Sequence, residues 1–162
     1  MALRMPQPQL EAILRHGEAT YPHECCGLLL GRMAGPDAPR LVAEAYPMRN
    51  ANQDSPANRF AFDPREHIQA QRAARDRGLE IVGFYHSHPD HPARPSQFDL
   101  DHAAWPGYSY LIVSILQGQA APGEASAGSY ELAADRSHFI QETIELAPAV
   151  PAPGGVGPAA GS

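Results

Sequence analysis

Residues 83–89 read Gly-Phe-Tyr-His-Ser-His-Pro and end an apolar segment with two histidines, His86 and His88. Side chains alternate between the two faces of a β-strand, so both imidazoles project to one side while Ser87 points to the other. Asp99 follows eleven residues after His88, beyond a short loop. Two imidazoles and one carboxylate supply three ligands and leave a fourth position for water, which is the stoichiometry of catalytic zinc. The pattern therefore predicts a zinc (Zn²⁺) site formed by His86, His88 and Asp99.

The composition is typical of one soluble globular domain. The chain has 162 residues, of which 43% are hydrophobic and 19% are charged. It carries 12 basic and 18 acidic residues, and no cluster of Lys and Arg with interleaved aromatics, so we expect no nucleic-acid partner. Residues 1–6 lack the apolar run of a signal peptide, and no segment approaches the ~20 apolar residues of a membrane span. We therefore expect a cytoplasmic protein without membrane contact.

Local patterns predict alternating helices and strands. Helices are predicted over 7–20, 64–77 and 96–104, the second with Asp63 as its N-cap and Gly78 as its C-terminal cap. Strands are predicted over 25–33, 40–48, 59–62, 79–85, 109–116, 130–132 and 139–146. The first two strands form a hairpin, the strand over 109–116 is central, residues 117–129 form a loop, and the last two strands lie at an edge. We expect a single-domain mixed α/β fold with a curved sheet flanked by helices.

The chain divides into a domain over residues 1–146 and a tail over residues 147–162. The tail contains four Pro and four Gly and no charged residue, so it is expected to be flexible. The Gly-Gly pair at 154 and 155 raises one further hypothesis, that the tail occupies a groove of its own domain as an autoinhibitor.

Several residues near the predicted ligands admit two interpretations. Ser96, three residues before Asp99, is typical of a helix N-cap, and such a helix would also hold the Ser96 hydroxyl near the metal. His91 in the loop and His102 one helical turn after Asp99 are alternative ligands or solvated helpers. The adjacent Cys25 and Cys26 point to opposite faces, which disfavours a disulfide between them. They are core thiols, or one of them lies beside the metal.

Glu24 is the acidic residue that opens the first apolar strand. An acidic residue in this position is usually a solvated strand end. A zinc hydrolase, however, needs a carboxylate that does not ligate the metal, which accepts a proton from water and delivers it to the leaving group. Glu24 is our candidate for that role.

The combination of Glu24, His86-Ser87-His88 and Ser96-x-x-Asp99 resembles the signature of the JAMM (MPN-plus) metalloprotease family, and the resemblance covers about Gln7 to Leu146. It implies a fold like that of the cytidine deaminases, zinc bound by His86, His88 and Asp99, Glu24 as general acid/base, and Ser96 as stabiliser of the oxyanion. It also implies cleavage of peptide or isopeptide bonds after the C-terminal Gly-Gly of a ubiquitin-like protein, bound through its tail. The short loops over 51–58 and 118–128 are similar to those of the compact prokaryotic members, which act on sulfur-carrier proteins, for example in cysteine biosynthesis.

Two other functions compete with this one. A zinc nucleoside deaminase requires His-x-Glu and a later Pro-Cys-x-x-Cys, and neither is present in the sequence. A non-catalytic protein-binding module of the MPN type usually lacks one or more ligands, whereas every signature position is filled here.

Overall fold

The computed structural model describes residues 2–52, 55 and 61–148, and within them three α-helices and eight strands. The helices are α1 (Gln7–Thr20), α2 (Pro64–Asp76) and α3 (Gln97–His102). The strands are β1 (Ala2–Pro6), β2 (Cys26–Met33), β3 (Arg40–Met48), β4 (Glu80–Pro89), β5 (Ser109–Leu116), β6 (Gln119–Ala120), β7 (Ala127–Leu132) and β8 (Phe139–Ala147). None of the helices in this part of the chain has the length and apolar character needed to cross a bilayer.

The strands form one sheet in the order β4-β2-β3-β1-β8-β7-β5-β6. Strand β4 also pairs with β5, so the hydrogen-bonded ladder closes on itself through seven strands. Strand β4 runs antiparallel to β2 and parallel to β5, and both of its edges are therefore occupied. The prediction of a mixed α/β fold with a curved sheet and flanking helices is confirmed, and the curvature extends to closure.

Helices α1 and α2 cover opposite faces of the sheet. Strand β2 illustrates the division, because Leu29 packs in one buried cluster with Leu10 and Ile13 of α1. Its neighbour Leu28 points the other way and packs in a second cluster with Ala70 of α2. Alternation of side chains along β2 thus supplies both cores, as expected for a strand that reads as a continuous apolar run.

The residues that begin and end α1 and α2 lie where the sequence predicts them, to within one residue. Helix α1 has the predicted bounds. The Asp63 carboxylate accepts a hydrogen bond from the Arg65 amide, and Pro64 occupies the first position of α2. Gly78 follows that helix with φ of 71°, a conformation that favours glycine. The hairpin of β2 and β3 and the bounds of β5 are also confirmed.

The prediction that the last two strands are edge strands is wrong. Strand β7 lies between β8 and β5, and β8 lies between β7 and β1. Strand β7 pairs with β5 as well as with β8, and β8 gains its second neighbour from β1, a short strand that the sequence does not reveal, which pairs with it in parallel over residues 2–6. The sequence pattern of β1 is weak because, within this strand, only Leu3 and Met5 are buried. Its partner β8 lies more than 130 residues away in the chain.

The prediction of a continuous loop over 117–129 is also wrong. Gln117 and Gly118 have φ values of 52° and 86°, which form a two-residue turn that returns the chain as β6 alongside β5. A short 3-10 helix over Gly123–Ser126 follows, and β7 begins at Ala127. Within the predicted strand over 59–62, residues 59 and 60 lie outside the described residues, and Ala61 and Phe62 are not in a strand.

The predicted division of the chain at residue 147 stays a prediction. Strand β8 includes Ala147, the first residue of the predicted tail. Residues 149–162, and with them the hypothesis of an autoinhibitory Gly-Gly segment, lie outside the described residues.

A buried polar network joins strands on the far side of the sheet from β4. Arg40 of β3 pairs with Glu142 of β8 at 3.2 Å and with Glu131 of β7 at 2.7 Å. The Ser129 hydroxyl donates to Glu142 as well, at 2.7 Å. The exposed fractions of the Arg40 and Glu142 side chains are 7% and 2%, so neither charge can be satisfied by solvent if its partner is removed.

We expect Glu142→Ala to lower the free energy of unfolding by about 3 kcal/mol, because Arg40 keeps only one of its two carboxylate partners and the buried hydroxyls of Ser109 and Ser129 lose their acceptor. Glu145→Ala on the same strand removes an exposed ion pair with Arg4 and should cost less than about 1 kcal/mol. Urea denaturation of the two variants checks the difference. Equal losses would contradict the structural role of the network.

Candidate active site

The two histidines lie within β4 rather than after it. The sequence predicted that the strand ends at Tyr85, but it continues to Pro89 because residues 83–89 pair in register with 109–115 of β5. His86 and His88 are both buried and project to the same side. Ser87 points to the opposite side and is fully buried, as the alternation of a strand requires.

A capping box at the start of α3 holds Asp99. The Ser96 hydroxyl accepts a hydrogen bond from the Asp99 amide at 3.1 Å, and the Asp99 carboxylate accepts one from the Ser96 amide at 2.8 Å. This reciprocal pair fixes the orientation of the carboxylate relative to the helix. The N-cap interpretation of Ser96 is confirmed, and it is compatible with a further role because accepting a bond does not use the hydroxyl proton.

The side chains of His86, His88 and Asp99 converge. The Nε2 atom of His86 lies 3.1 Å from Nε2 of His88 and 3.3 Å from Oδ1 of Asp99, and Nε2 of His88 lies 3.1 Å from Oδ2 of Asp99. In a tetrahedral site with metal–ligand distances of about 2.0 Å, neighbouring ligand atoms are about 3.3 Å apart. Each imidazole Nε2 therefore lies at about the ligand–ligand spacing of a zinc site from the other Nε2 and from one of the two Asp99 oxygens.

Hydrogen bonding sets the protonation of this cluster. The Nδ1 atom of His88 lies 2.9 Å from the carbonyl oxygen of Pro92, which can only accept, so Nδ1 carries the proton and the Nε2 lone pair faces the cluster. Burial lowers the pKa of His86. Although burial opposes ionisation of Asp99, the adjacent His86 and His88 side chains and the Ser96 amide hold the pKa of that carboxyl well below its usual range. Neutral imidazoles and an ionised carboxylate are the forms that bind a divalent metal.

Glu24 is brought to the cluster by the pairing of β2 with β4. Cys26 lies opposite His86 in this antiparallel register, so Glu24 lies opposite His88. Two hydrogen bonds extend the pairing beyond β2: the Ser87 amide donates to the Cys25 carbonyl at 3.1 Å, and the Cys25 amide donates to the Ser87 hydroxyl at 2.8 Å. The backbone beside Glu24 is therefore anchored directly to the residue between the two histidines.

The Glu24 carboxyl is buried in a way that suits a bound water. Among the buried side-chain atoms of the described residues, Oε1 of Glu24 has no hydrogen-bond partner. Burial and the neighbouring Asp99 carboxylate raise the pKa of Glu24 to about 9. A cation between the two carboxylates would reverse this effect and favour the ionised form. An unpartnered buried oxygen beside three converging ligand atoms thus fits a site that holds a metal ion and its water.

Two cavities border the cluster. One has a volume of about 200 Å³, touches His86 and Asp99, and is otherwise lined mainly by aromatic side chains, among them Phe84 and Trp105. The other is an open cleft of about 650 Å³, which we call the Glu24 cleft. Its lining residues are Glu24, His88, His91, Pro92, Arg94, Pro95, Ser96 and Phe98. The predicted ligands therefore border two differently lined spaces.

The remaining candidates from the sequence lie outside the ligand cluster. In the part of the chain that the structure describes, the cluster of potential ligands contains His86, His88 and Asp99, and neither His91 nor His102 belongs to it. Both of these histidines are exposed. Cys25 and Cys26 are free and buried in opposite cores, which confirms the interpretation as core thiols. Burial raises the pKa of the Cys25 thiol to about 11.

Sequence analysis missed Asn50, which supports the site from the end of β3. Its side-chain amide donates to the Glu24 carbonyl at 3.1 Å, and its side-chain oxygen accepts from the amides of Asn52 and Ala61. Asn50 thus ties the loop after β3 to Glu24. The turn-rich composition of this loop gave no indication of that role.

The aromatic cavity was missed as well. Trp105 stacks on Phe84 with ring centroids 4.9 Å apart, and Phe62 packs against Phe84 from another element at 6.1 Å. Trp105 is the single tryptophan of the chain and is 45% exposed. A lone tryptophan between the predicted short helix and a Pro-Gly turn was the available signal, since large exposed aromatics often line binding surfaces.

Comparison with known proteins assigns the family. The family described as "Prokaryotic homologs of the JAB domain" matches residues 6–127. The match covers all the segments that carry the predicted ligands, Glu24 and Ser96. The chain belongs to this family, as the JAMM-type signature predicted.

Curated relatives and solved structures agree with this assignment. The chain is 41% identical over 93 residues, or 57% of its length, to the desampylase of Haloferax volcanii. It is 33% identical over 65% of its length to the CysO-cysteine peptidase of Mycobacterium tuberculosis. The matches cover 63% and 68% of these relatives, so the chain spans about two thirds of their length. The solution structure of a Desulfitobacterium hafniense protein, 36% identical, superimposes with a TM-score of 0.78 over 93% of this chain and 95% of that one.

We expect Ser87→Ala to lower the free energy of unfolding by about 1–3 kcal/mol, because it leaves the buried Cys25 amide without its acceptor. Ser137→Ala is the matched control, since that exposed hydroxyl bonds to Asp135 on the surface and its loss should cost no more than about 0.5 kcal/mol. Chemical denaturation measures both. A Ser87→Ala variant as stable as the control would mean that the backbone of Glu24 is held by other contacts.

Proposed function

We propose that this chain is a zinc-dependent hydrolase that cleaves peptide or isopeptide bonds after the C-terminal Gly-Gly of a ubiquitin-like protein, and that its substrate is a sulfur-carrier protein. The observation that carries the proposal is the convergence of His86, His88 and Asp99 beside Glu24, whose Oε1 atom has no partner among the described residues. The names of the similar proteins support the substrate class, because one is a desampylase and another is a CysO-cysteine peptidase.

His86, His88 and Asp99 are the proposed ligands. Zinc bound by them would polarise the scissile carbonyl and lower the pKa of its water to about 7. The protein contributes the geometry: the Pro92 carbonyl orients His88, and the capping box orients Asp99. Because β4 is paired on both edges, His86 and His88 sit on a rigid element rather than on a loop.

Glu24 is the proposed general acid/base. Its carboxylate accepts a proton from the attacking water as the new C–O bond forms, and it delivers that proton to the leaving nitrogen as the C–N bond breaks. The products are the carboxylate of the carrier tail and a free amine. Burial of Glu24 excludes bulk water from this transfer, so the proton passes between the two reacting groups.

Ser96 is the proposed stabiliser of the oxyanion. Its hydroxyl oxygen is held by the Asp99 amide, and its proton remains available for donation toward the Glu24 cleft, which Ser96 lines together with His88. A donor aimed at developing negative charge typically contributes about 3 kcal/mol to lowering the barrier. We assign the catalytic domain to residues 1–146, since every proposed participant lies between Glu24 and Asp99.

We expect the purified protein to bind one zinc ion per chain, and His86→Ala to weaken zinc binding by more than about 100-fold, because it removes one of three ligands. His102→Ala is the matched control, since that imidazole is exposed and hydrogen-bonds to the Phe98 carbonyl instead of joining the cluster. Elemental analysis after dialysis against a zinc buffer measures both. Full zinc content in His86→Ala would remove this residue from the ligand set.

We expect Glu24→Gln to retain zinc and to lower kcat by at least about 100-fold, because the amide cannot shuttle a proton. Asp99→Ala should lose both zinc and turnover. The assay follows the mass of a sulfur-carrier protein that bears a C-terminal extension after Gly-Gly. Hydrolysis by Glu24→Gln at the wild-type rate would exclude Glu24 from the reaction, and a wild-type protein that binds the carrier without cleaving it would support a binding module instead.

A further inference from the structure

Two side chains of opposite charge line the Glu24 cleft. Glu24 lies at its buried end beside His88, and Arg94 lies on its exposed wall. Among the described residues that line this cleft, Glu24 is the carboxylate and Arg94 is the guanidinium. Arg94 forms no ion pair with any carboxylate in the described part of the chain. Its charge is therefore available to a ligand.

The backbone that carries Arg94 is anchored at four consecutive residues. The Asp90 amide donates to the Ile115 carbonyl at 2.7 Å, and the carbonyl of His91 accepts from the Ser114 hydroxyl at 2.7 Å. The carbonyl of Pro92 accepts from His88, and the buried carbonyl of Ala93 accepts from the Tyr130 hydroxyl at 2.8 Å. The backbone is thus a fixed support for Arg94, whose exposed side chain lines both the Glu24 cleft and a neighbouring pocket that contains Tyr130.

The position of Glu24 determines which part of the substrate enters this cleft. In the proposed reaction Glu24 hands its proton to the leaving nitrogen, so that nitrogen lies on the side of the ligand cluster that Glu24 lines. Glu24 does not line the aromatic cavity, and a third pocket that it lines, with Arg49 and Asn50, contains none of the proposed ligands. The Glu24 cleft is the pocket that Glu24 shares with a proposed ligand, His88, so we place the leaving amine there, and Arg94 lines the same cleft.

An amino acid released from the end of a carrier tail has its own carboxylate two bonds from the leaving nitrogen, a separation of about 2.5 Å. That carboxylate enters the same cleft as the amine. In an isopeptide, by contrast, the leaving nitrogen ends a lysine side chain, and the lysine carboxyl is a neutral part of a protein backbone. A cation on the wall of the cleft that receives the leaving amine distinguishes these two substrates, because guanidinium binds carboxylate in a bidentate, charge-assisted pair.

We propose that Arg94 is a specificity-determining residue that binds the α-carboxylate of the leaving group, so that the preferred substrate is a carrier tail extended after Gly-Gly by a single amino acid with a free carboxylate. This inference rests on the proposed function and narrows its substrate class. Arg94 acts on the leaving group only and takes no part in proton transfer.

The test compares a sulfur-carrier protein extended by one alanine after Gly-Gly in two forms, one with a free carboxylate and one with a carboxamide. We expect the zinc-loaded full chain to cleave the carboxylate form with a kcat/KM about tenfold higher or more. Arg94→Ala should bring the ratio of the two kcat/KM values close to one, and Arg94→Lys should restore part of it. Arg72→Ala, which removes an exposed arginine of α2, should keep the wild-type ratio.

A binding measurement separates an effect of Arg94 on substrate affinity from an effect on the cleavage step. Calorimetric titration of the zinc-loaded Glu24→Gln variant should give a lower Kd for the carboxylate form, and the further change Arg94→Ala should remove that difference. Equal cleavage of the two forms by the wild type, or a ratio unchanged in Arg94→Ala, would overturn the role of Arg94 and leave the proposed function intact. Cleavage of neither form by zinc-loaded protein would overturn the proposed function and this inference together.

Discussion

The pairing of Cys25 with Ser87 is the contact on which the geometry of the site depends. Two hydrogen bonds join these residues, one between their backbones and one from the Cys25 amide to the Ser87 hydroxyl. Cys25 directly follows Glu24, and Ser87 lies between the two histidines, so this single contact fixes the distance between the carboxyl group and the imidazoles. Ser87, whose side chain points away from the cluster, therefore aligns Glu24 with His86 and His88.

The rest of the fold supplies the rigidity that such an arrangement needs. Glu24 and Asp99 are like charges in a buried site, and their repulsion contributes to the raised pKa of Glu24. An arrangement of this kind persists only where the surrounding structure is strong enough to hold it. Closure of the ladder through the β4–β5 pair leaves β4 without a free edge, and the Asn50 amide holds the backbone of Glu24 from the opposite side.

Much of the site and most of the local structure could be predicted from the sequence, because their signals are local. Strand alternation predicted the shared face of His86 and His88, and the capping pattern predicted the setting of Ser96 and Asp99. The features that were missed depend on contacts between distant segments. Strand β1 pairs with the distant β8 and thereby makes β8 an interior strand, and Asn50 gains its role only when the loop after β3 lies against Glu24.

The different linings of the two cavities beside the cluster bear on which substrates this fold can accept. Of the two cavities that border the cluster, one is lined mainly by aromatic side chains, and the other, the open Glu24 cleft, is the one that Glu24 lines. In the proposed reaction this placement of the proton donor gives the substrate a direction, with its leaving amine in the Glu24 cleft and its acyl tail leading away from it. One wall of the cleft belongs to the loop after β4, which is held by the backbone of residues 91–93 and by the Asp90 carboxylate, while the Arg94 side chain is exposed. In the proposed enzyme, substitution of Arg94 can therefore change the leaving group that is accepted without moving the proposed ligands, because the hydrogen bonds that hold the loop come from other groups.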